Sequence, residues 1–289
     1  MRALAEKVGA LLGESVTDIE SVSGGDINRA FALTLGSGRR LFAKTHAAAL
    51  PQVFVREAEG LSWLAQARAL RVPEVLAASD ADELGPACLV LELITPGART
   101  GRYSEAFGRG LAALHKSGAS CFGHDTPNYL ATLPQDNTPS DTWPRFYAER
   151  RLTPLLTQAV QRGDVPHSLA GRLRQLCERM EMFCGDPEPP ARLHGDLWGG
   201  NALAAEGGEP VLIDPAVYGG HREVDLAMMQ LFGGFERRVF QAYDEVYRRQ
   251  PGHEERVALC QLYPLLAHVC LFGSSYTPQL DRALSRYVR

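Results

Sequence analysis

The chain has 289 residues, 45% of them hydrophobic and 22% charged, and a formal net charge of -4 at neutral pH. This is the composition of an ordinary globular enzyme of one or two lobes with ample core, and its mild acidity argues against a general nucleic-acid binder. No apolar run is long enough to span a bilayer, so no membrane partner is expected.

Met1 to Lys7 carries Glu6 where a signal peptide would need apolar residues, so the start reads as a helix. Leu4, Val8, Leu11 and Leu12 recur at helical spacing, and Gly13 can end that helix. Val16 to Val22 reads as a strand. The segment Ser23-Gly24-Gly25-Asp26-Ile27-Asn28 follows as a turn-rich loop. Ala30 to Leu35 and Arg39 to Thr45 read as strands joined at Gly36-Ser37-Gly38. Two adjacent glycines let backbone N–H groups approach a phosphate, although they occur equally in plain β-turns. Gly24 and Gly25 gain weight as nucleotide-binding candidates only from standing before the strand that carries Lys44.

Lys44 ends an apolar strand, which suits a cation that reaches nucleotide phosphates. Phe54 opens a helix running to about residue 69, and Glu57, Leu61 and Leu64 share its inward face by spacings of three and four. A carboxylate turned inward needs a partner, and Lys44 is the expected one. Glu59 points elsewhere and reads as a solvated charge. Ala87 to Leu91 is a buried strand running into Glu92-Leu93-Ile94-Thr95-Pro96-Gly97. It reads either as a hinge whose backbone at Glu92, Leu93 and Ile94 pairs with adenine, or as an ordinary sheet strand followed by a turn.

Helical patterns then take over. Tyr103 to Ser117, Trp143 to Arg162 and Ser168 to Cys184 read as helices. Phe122 to Asn137 reads as a loop, and Asp186 to Pro190 as a rigid linker. Then comes Leu193-His194-Gly195-Asp196-Leu197-Trp198-Gly199-Gly200-Asn201, a His-x-Asp with an Asn five residues after the Asp. Phosphoryl transfer to a hydroxyl uses that spacing: Asp196 orients the hydroxyl and can accept its proton, and Asn201 helps hold Mg²⁺. Val211-Leu212-Ile213 reads as a buried strand ending in Asp214, a second oxygen donor for the same Mg²⁺. The plain alternative is a polar loop with capping Asp and Asn.

Trp198 offers an aromatic face to a sugar ring or else packs beneath the loop. His194 reads as a brace of the loop, His115 as a packed or capping side chain, and Asp225 as a helix cap or a brace of the catalytic loop. Only ten residues separate Asp214 from Asp225, too few for a protein-docking segment, which favours a small-molecule acceptor. Helices around 236–249, 254–272 and 278–288 finish the chain. The six cysteines (Cys88, Cys121, Cys177, Cys184, Cys260, Cys270) form no Cys-x-x-Cys pair and suggest reduced thiols in a cytoplasmic protein.

These residues resemble the fructosamine kinase (ketosamine 3-kinase) family, within the kinase-like superfamily that includes aminoglycoside and choline phosphotransferases. Lys44, Glu57, His194-x-Asp196, Asn201 and Asp214 carry the superfamily likeness. The loop Gly24 to Asn28, Trp198-Gly199-Gly200, Asp214 to Gly219, Arg222 to Met228, Gln135-x-Asn137 with Trp143, and Leu262-Tyr263-Pro264-Leu265-Leu266 carry the family likeness.

The resemblance implies an α+β, two-lobed, protein-kinase-like fold: a small antiparallel-sheet lobe with one main helix over 1–93, and a larger, mostly helical lobe over 94–289. It implies ATP- and Mg²⁺-dependent phosphorylation of the 3-hydroxyl of a ketosamine or glycated lysine, after which the unstable product releases its amine. In some members the Gly-rich loop carries a cysteine. Asp26 stands there in this chain, so a thiol switch is not expected. The competing readings are a kinase for another small hydroxyl compound, aminoglycoside- or choline-like, and an inactive nucleotide-binding scaffold. The sequence leaves the oligomeric state open.

Overall fold

The computed structural model describes residues 1–22, 28–46 and 48–288. The expectations for Gly24, Gly25 and Asp26 lie outside them. In chain order the elements are α1 (Arg2–Leu12), β1 (Val16–Val22), β2 (Arg29–Leu35), β3 (Arg40–Thr45), α2 (Val53–Ala65), β4 (Val75–Ser79), β5 (Cys88–Glu92) and α3 (Gly101–Lys116). There follow β6 (Asn128–Leu130), β7 (Leu133–Gln135), α4 (Trp143–Phe146), a π-helical turn (Tyr147–Leu152), α5 (Thr153–Gln161), α6 (His167–Glu178) and β8 (Ala191–Leu193). The chain continues with β9 (Ala202–Ala204), β10 (Pro210–Leu212), β11 (Tyr218–Gly220), α7 (Glu223–Phe232), α8 (Arg237–Val246), α9 (His253–Phe272) and α10 (Thr277–Leu284). They form two compact units, Met1–Tyr103 with Ala202–Pro215, and Ser104–Asn201 with Ala216–Arg289. The β9–β10 segment, read from the sequence as part of 94–289, thus packs with the first unit.

In the first unit, five antiparallel strands run in the order β1-β2-β3-β5-β4. Side chains alternate across a strand, and β5 uses both faces. Cys88 and Val90 pack with Leu4 and Val8 of α1, while Leu89 and Leu91 pack with Phe54 and Leu61 of α2. β3 alternates in the same way. Leu41 and Ala43 join the α1 side and Phe42 the α2 side. Lys44, two residues after Phe42, therefore faces α2. Strand β4 was not expected. Its Ala-rich sequence at the sheet edge is half-buried throughout, so neither alternation nor a β-branched run marks it.

The second unit is built around α9, which is buried on most of its circumference. Pro264 lies inside this helix and has no N–H to donate. The Tyr147 hydroxyl inserts at that turn: it donates to the Leu259 carbonyl (2.8 Å) and accepts from the Tyr263 N–H (3.1 Å). The expected loop from Phe122 to Asn137 contains the β6–β7 hairpin instead. Its strands are three residues each, and their buried polar Asn128 and Gln135 hide the apolar pattern of a sheet. Among the described residues no helix is long and apolar enough to cross a membrane.

Candidate active site

In the first unit, the facing of β3 and α2 brings Lys44 Nζ to 2.6 Å from Glu57 Oε1, the pairing expected from the spacing. Lys44 Nζ also lies 2.9 Å from Asp214 Oδ1. Lys44 is buried, and Asp214 remains 45% exposed at its side chain, so this cluster opens to solvent at Asp214. Burial works against the charge on Lys44, but Glu57 and Asp214 overcome it and push the ammonium's pKa up. Glu57 is pushed up to about 7, first by burial and then by the charge of Asp214, with Lys44 opposing.

Asp214 follows β10 with a left-handed backbone, φ 54°, a conformation that Asp tolerates better than most side chains. The hairpin that carries it is tied to its own unit by Arg71. The Arg71 carbonyl accepts the Leu212 N–H at 2.9 Å, and its guanidinium pairs with Glu209 (2.8 Å) and Glu92. The sequence reading missed Arg71, because its partners lie 21 and 138 residues away.

Glu92 was expected to offer its backbone to a nucleotide, but its N–H donates to the Glu74 carbonyl at 2.9 Å and its carboxylate is engaged by Arg71. Leu93 and Ile94 follow, half-buried. After them the Thr95 carbonyl accepts from the Glu206 N–H (2.9 Å), and the Gly97 N–H donates to the Ala204 carbonyl (2.7 Å). Glu59 pairs with Arg56 at 2.8 Å on the exposed side of α2.

The second unit carries the catalytic-loop motif between β8 and Asn201. Asn201 Nδ2 donates to both the carbonyl (2.8 Å) and Oδ2 (2.9 Å) of Asp196. Because Nδ2 is the atom turned to Asp196, Oδ1 is the atom this amide would offer a cation. The Asp196 N–H donates to His194 Nδ1 (3.2 Å), which puts the His194 proton on Nε2. Asp225, fully buried, accepts the N–H of His194 (2.8 Å) and of Gly195 (3.0 Å) on its two oxygens. His115 Nε2 lies 3.2 Å from the same carboxylate, and its Nδ1 is 2.9 Å from the Tyr243 hydroxyl. Burial opposes the charge on Asp225, but its bond and attraction to His115 and the Gly195 N–H hold its pKa below the ordinary carboxylate value. Asp225 and His194 are therefore braces, as read from the sequence, and His115 supports the brace.

The glycines of the motif are fixed by close approach. Gly195 has φ 82°, and a Cβ there would fall 2.0 Å from the Ala216 carbonyl oxygen. A Cβ on Gly199 would meet Gly234 Cα at 2.9 Å, and one on Gly200 would meet the Trp198 ring at 2.2 Å. Trp198 lies against Gly200 with 43% of its surface exposed, so it is not the core residue of the alternative reading.

Asn201 in the second unit could offer an amide oxygen and Asp214 in the first a carboxylate oxygen, each a hard ligand of the kind Mg²⁺ takes. A buried ammonium paired with carboxylates and a hydrogen-bonded Asp–Asn pair are side-chain types that phosphotransferases use. The fructosamine kinase family model matches residues 1–289. The chain belongs to the fructosamine kinase family. It is similar to a probable ketoamine kinase of Synechocystis sp., at 36% identity over 100% of this chain and 97% of that protein. It is also similar to a chloroplastic protein-ribulosamine 3-kinase of Arabidopsis thaliana, at 36% identity over 95% of this chain and 83% of that one. A crystal structure of a candidate fructosamine-3-kinase from Thermobifida fusca superposes with a TM-score of 0.91 at 39% identity, covering 99% of this chain and 98% of that one. The protein is thus a ketosamine kinase with a kinase-like α+β fold.

Proposed function

We propose that this ketosamine 3-kinase transfers the γ-phosphoryl group of ATP, in the presence of Mg²⁺, to the 3-hydroxyl of a small ketosamine or a glycated lysine. The observation that carries the reading is the pair of hydrogen bonds that Asn201 Nδ2 donates to Asp196, which ties the one carboxylate of the loop to the residue whose oxygen would face the metal. Lys44, anchored by Glu57, would contact the α- and β-phosphates. Asn201 and Asp214 would hold the cation, which when bound offsets charge on the transferring phosphates. Gly24 and Gly25 would lie along the phosphates, and the backbone of Leu93 and Ile94 beside the base.

Asp196 would orient the 3-hydroxyl and take its proton. Positioning and charge stabilisation would supply most of the rate, because the transition state is loose. The exposed Trp198 ring would take the sugar of the acceptor against its face. The 3-phosphate of a ketosamine is unstable and releases the amine, so the net result is deglycation. The six cysteines are free thiols, four of them buried, which supports a reducing compartment such as the cytoplasm.

The test is Mg-ATP consumption against a panel of acceptors: a fructosamine, a ribulosamine, a glycated-lysine peptide, an aminoglycoside and choline. Turnover confined to the ketosamines supports the reading. Turnover of the aminoglycoside or choline instead, or ATP binding with no transfer to any acceptor, contradicts it.

A further inference from the structure

Arg151 is 1% exposed, yet among the described residues none of its hydrogen-bond partners is a carboxylate. Its Nη1 donates to the carbonyls of Asp136 (2.8 Å) and Arg150 (3.1 Å), and its Nη2 to Asn137 Oδ1 (2.6 Å). Among the described residues its Nε has no partner. The nearby carboxylate, that of Asp136, is given to Arg150 instead (2.8 Å). Aromatic faces surround the cation, Tyr218 at 4.0 Å, Phe146 at 4.5 Å and Tyr263 at 5.7 Å. Burying a cation with no carboxylate bonded to it is costly, and cation–π contacts offset that cost only in part. Core packing alone would be better served by Met or Leu.

The fork of Arg151 leads towards the catalytic loop. Asn137, which it holds, donates to Asn128 Oδ1 (2.9 Å), and so does Gln135 (3.0 Å). Asn128 donates to the Val217 carbonyl (2.8 Å) and Gln135 to the Ala216 carbonyl (3.3 Å). Tyr263 from α9 donates to Gln135 Oε1 (2.6 Å). The Ala216 carbonyl is the group that leaves no room for a Cβ on Gly195, and the Ala216 N–H donates to the His194 carbonyl at 2.9 Å. Arg151 reaches this network because it lies in the π turn, where the Thr153 N–H bonds the Ala148 carbonyl. Such turns occur mostly as single insertions inside α-helices, and frequently at functional sites.

We propose that Arg151 is a positioning residue of the phosphotransfer reaction: through Asn137, Asn128 and Gln135 it fixes the 216–217 backbone against which His194-Gly195-Asp196 is seated. This rests on the role given to Asp196 above. Loss of the guanidinium fork lets that backbone shift, and the loop with it, without touching the residues assigned to the nucleotide.

The test compares wild type with Arg151→Met and Arg151→Lys, reading kcat, KM for ATP and amide hydrogen exchange. A shift of about 1 Å at a reacting group costs on the order of a hundredfold in rate. For Arg151→Met the expectation is therefore a kcat lower by about 30-fold or more, with KM for ATP changed less than about threefold. Exchange should quicken over 193–201 and 216–218 while α6 and α10 keep their protection. Arg151→Lys keeps the charge but not the fork and should resemble Arg151→Met. Unchanged exchange in the loop, or a loss of protection spread evenly over the unit, overturns the proposal. If Arg151→Met does not fold, Gln135→Met gives the same readouts from the far end of the network, and unchanged kcat and loop exchange there also overturn it. Hydrogen exchange needs no acceptor, so a wild type that phosphorylates no ketosamine would count against the functional reading and leave this test standing.

Discussion

Lys44, Glu57 and Asp214 hold one another by charge, whereas Asp196 and Asn201 are held by directed hydrogen bonds to each other and to His194, in a loop whose backbone is bonded to Asp225. In the first cluster one ammonium serves two carboxylates, at 2.6 and 2.9 Å, and one of those carboxylates faces solvent. In the second, every link from Asp225 through His194 and Gly195 to Asp196 is a directed bond of 2.8–3.2 Å, and glycine contacts leave the backbone no slack. A set of charges can exchange partners when phosphates and a cation arrive. A seated loop cannot, and phosphoryl transfer needs both behaviours: an adaptable grip on the nucleotide and a fixed carboxylate for the hydroxyl.

The largest test of that contrast is Asp196→Asn. It removes the proposed base and keeps the shape, so turnover should fall about 10²–10⁴-fold while ATP affinity, read by calorimetry, changes less than about threefold. Next comes Asp225→Ala, which leaves the His194 and Gly195 N–H groups unpaired in the interior. Urea unfolding should find it destabilised by about 2–5 kcal/mol. The pH dependence has a definite sign. The pKa of Asp225 is held down in the folded protein, so its contribution is complete above the unfolded value of about 3.9 and lost as pH falls through the folded value. The stability gap between wild type and Asp225→Asn should therefore close in acid, and a gap that widens there contradicts the brace.

Glu57 gives the opposite sign. Its pKa is raised to about 7, so the nucleotide-free folded state binds its proton more tightly than the unfolded chain does. Wild type should lose stability relative to Glu57→Gln as pH rises from 4.5 to about 7, a trend that melting temperatures across that range would reveal. The smallest effect is expected at Glu59, whose exposed pair with Arg56 should be worth under about 0.5 kcal/mol, so Glu59→Gln should unfold almost as wild type does.

The Lys44–Glu57 pair was legible in the sequence because its logic is periodic, while the contact of Lys44 with Asp214, 170 residues away, was not. Lys44 follows Phe42 by two on a strand, and Glu57 precedes Leu61 by four on a helix. The Asp196–Asn201 pair was legible because its contacts are five residues apart. What the sequence hid are long-range polar pairings, which leave no local pattern. Arg71 with Glu209 is one. The buried fork of Arg222 on Glu188 (2.7 and 2.8 Å) is another, and it makes an anchor of the segment read only as a Pro-rich linker. Arg151 is a third. It sits in a run that reads as plain helix, and only the extra residue of the π turn sends Arg150 to the Asp136 carboxylate and Arg151 into the core. The hairpin β6–β7 escaped for a related reason, since two of its four buried positions, Asn128 and Gln135, are amides that satisfy one another, and only Leu130 and Leu133 are apolar.

The central claim is that Asp196 presents a sugar hydroxyl, and no other group, for transfer. The most direct measurement is ³¹P NMR of the product formed from Mg-ATP and the ketosamine of glucose and lysine. The account predicts a phosphate monoester on the 3-oxygen with wild type, followed by release of lysine, and the same product formed about 10²–10⁴-fold more slowly with Asp196→Asn. A phosphate on another hydroxyl, or the same 3-phosphate formed at a near-normal rate by Asp196→Asn, would contradict it.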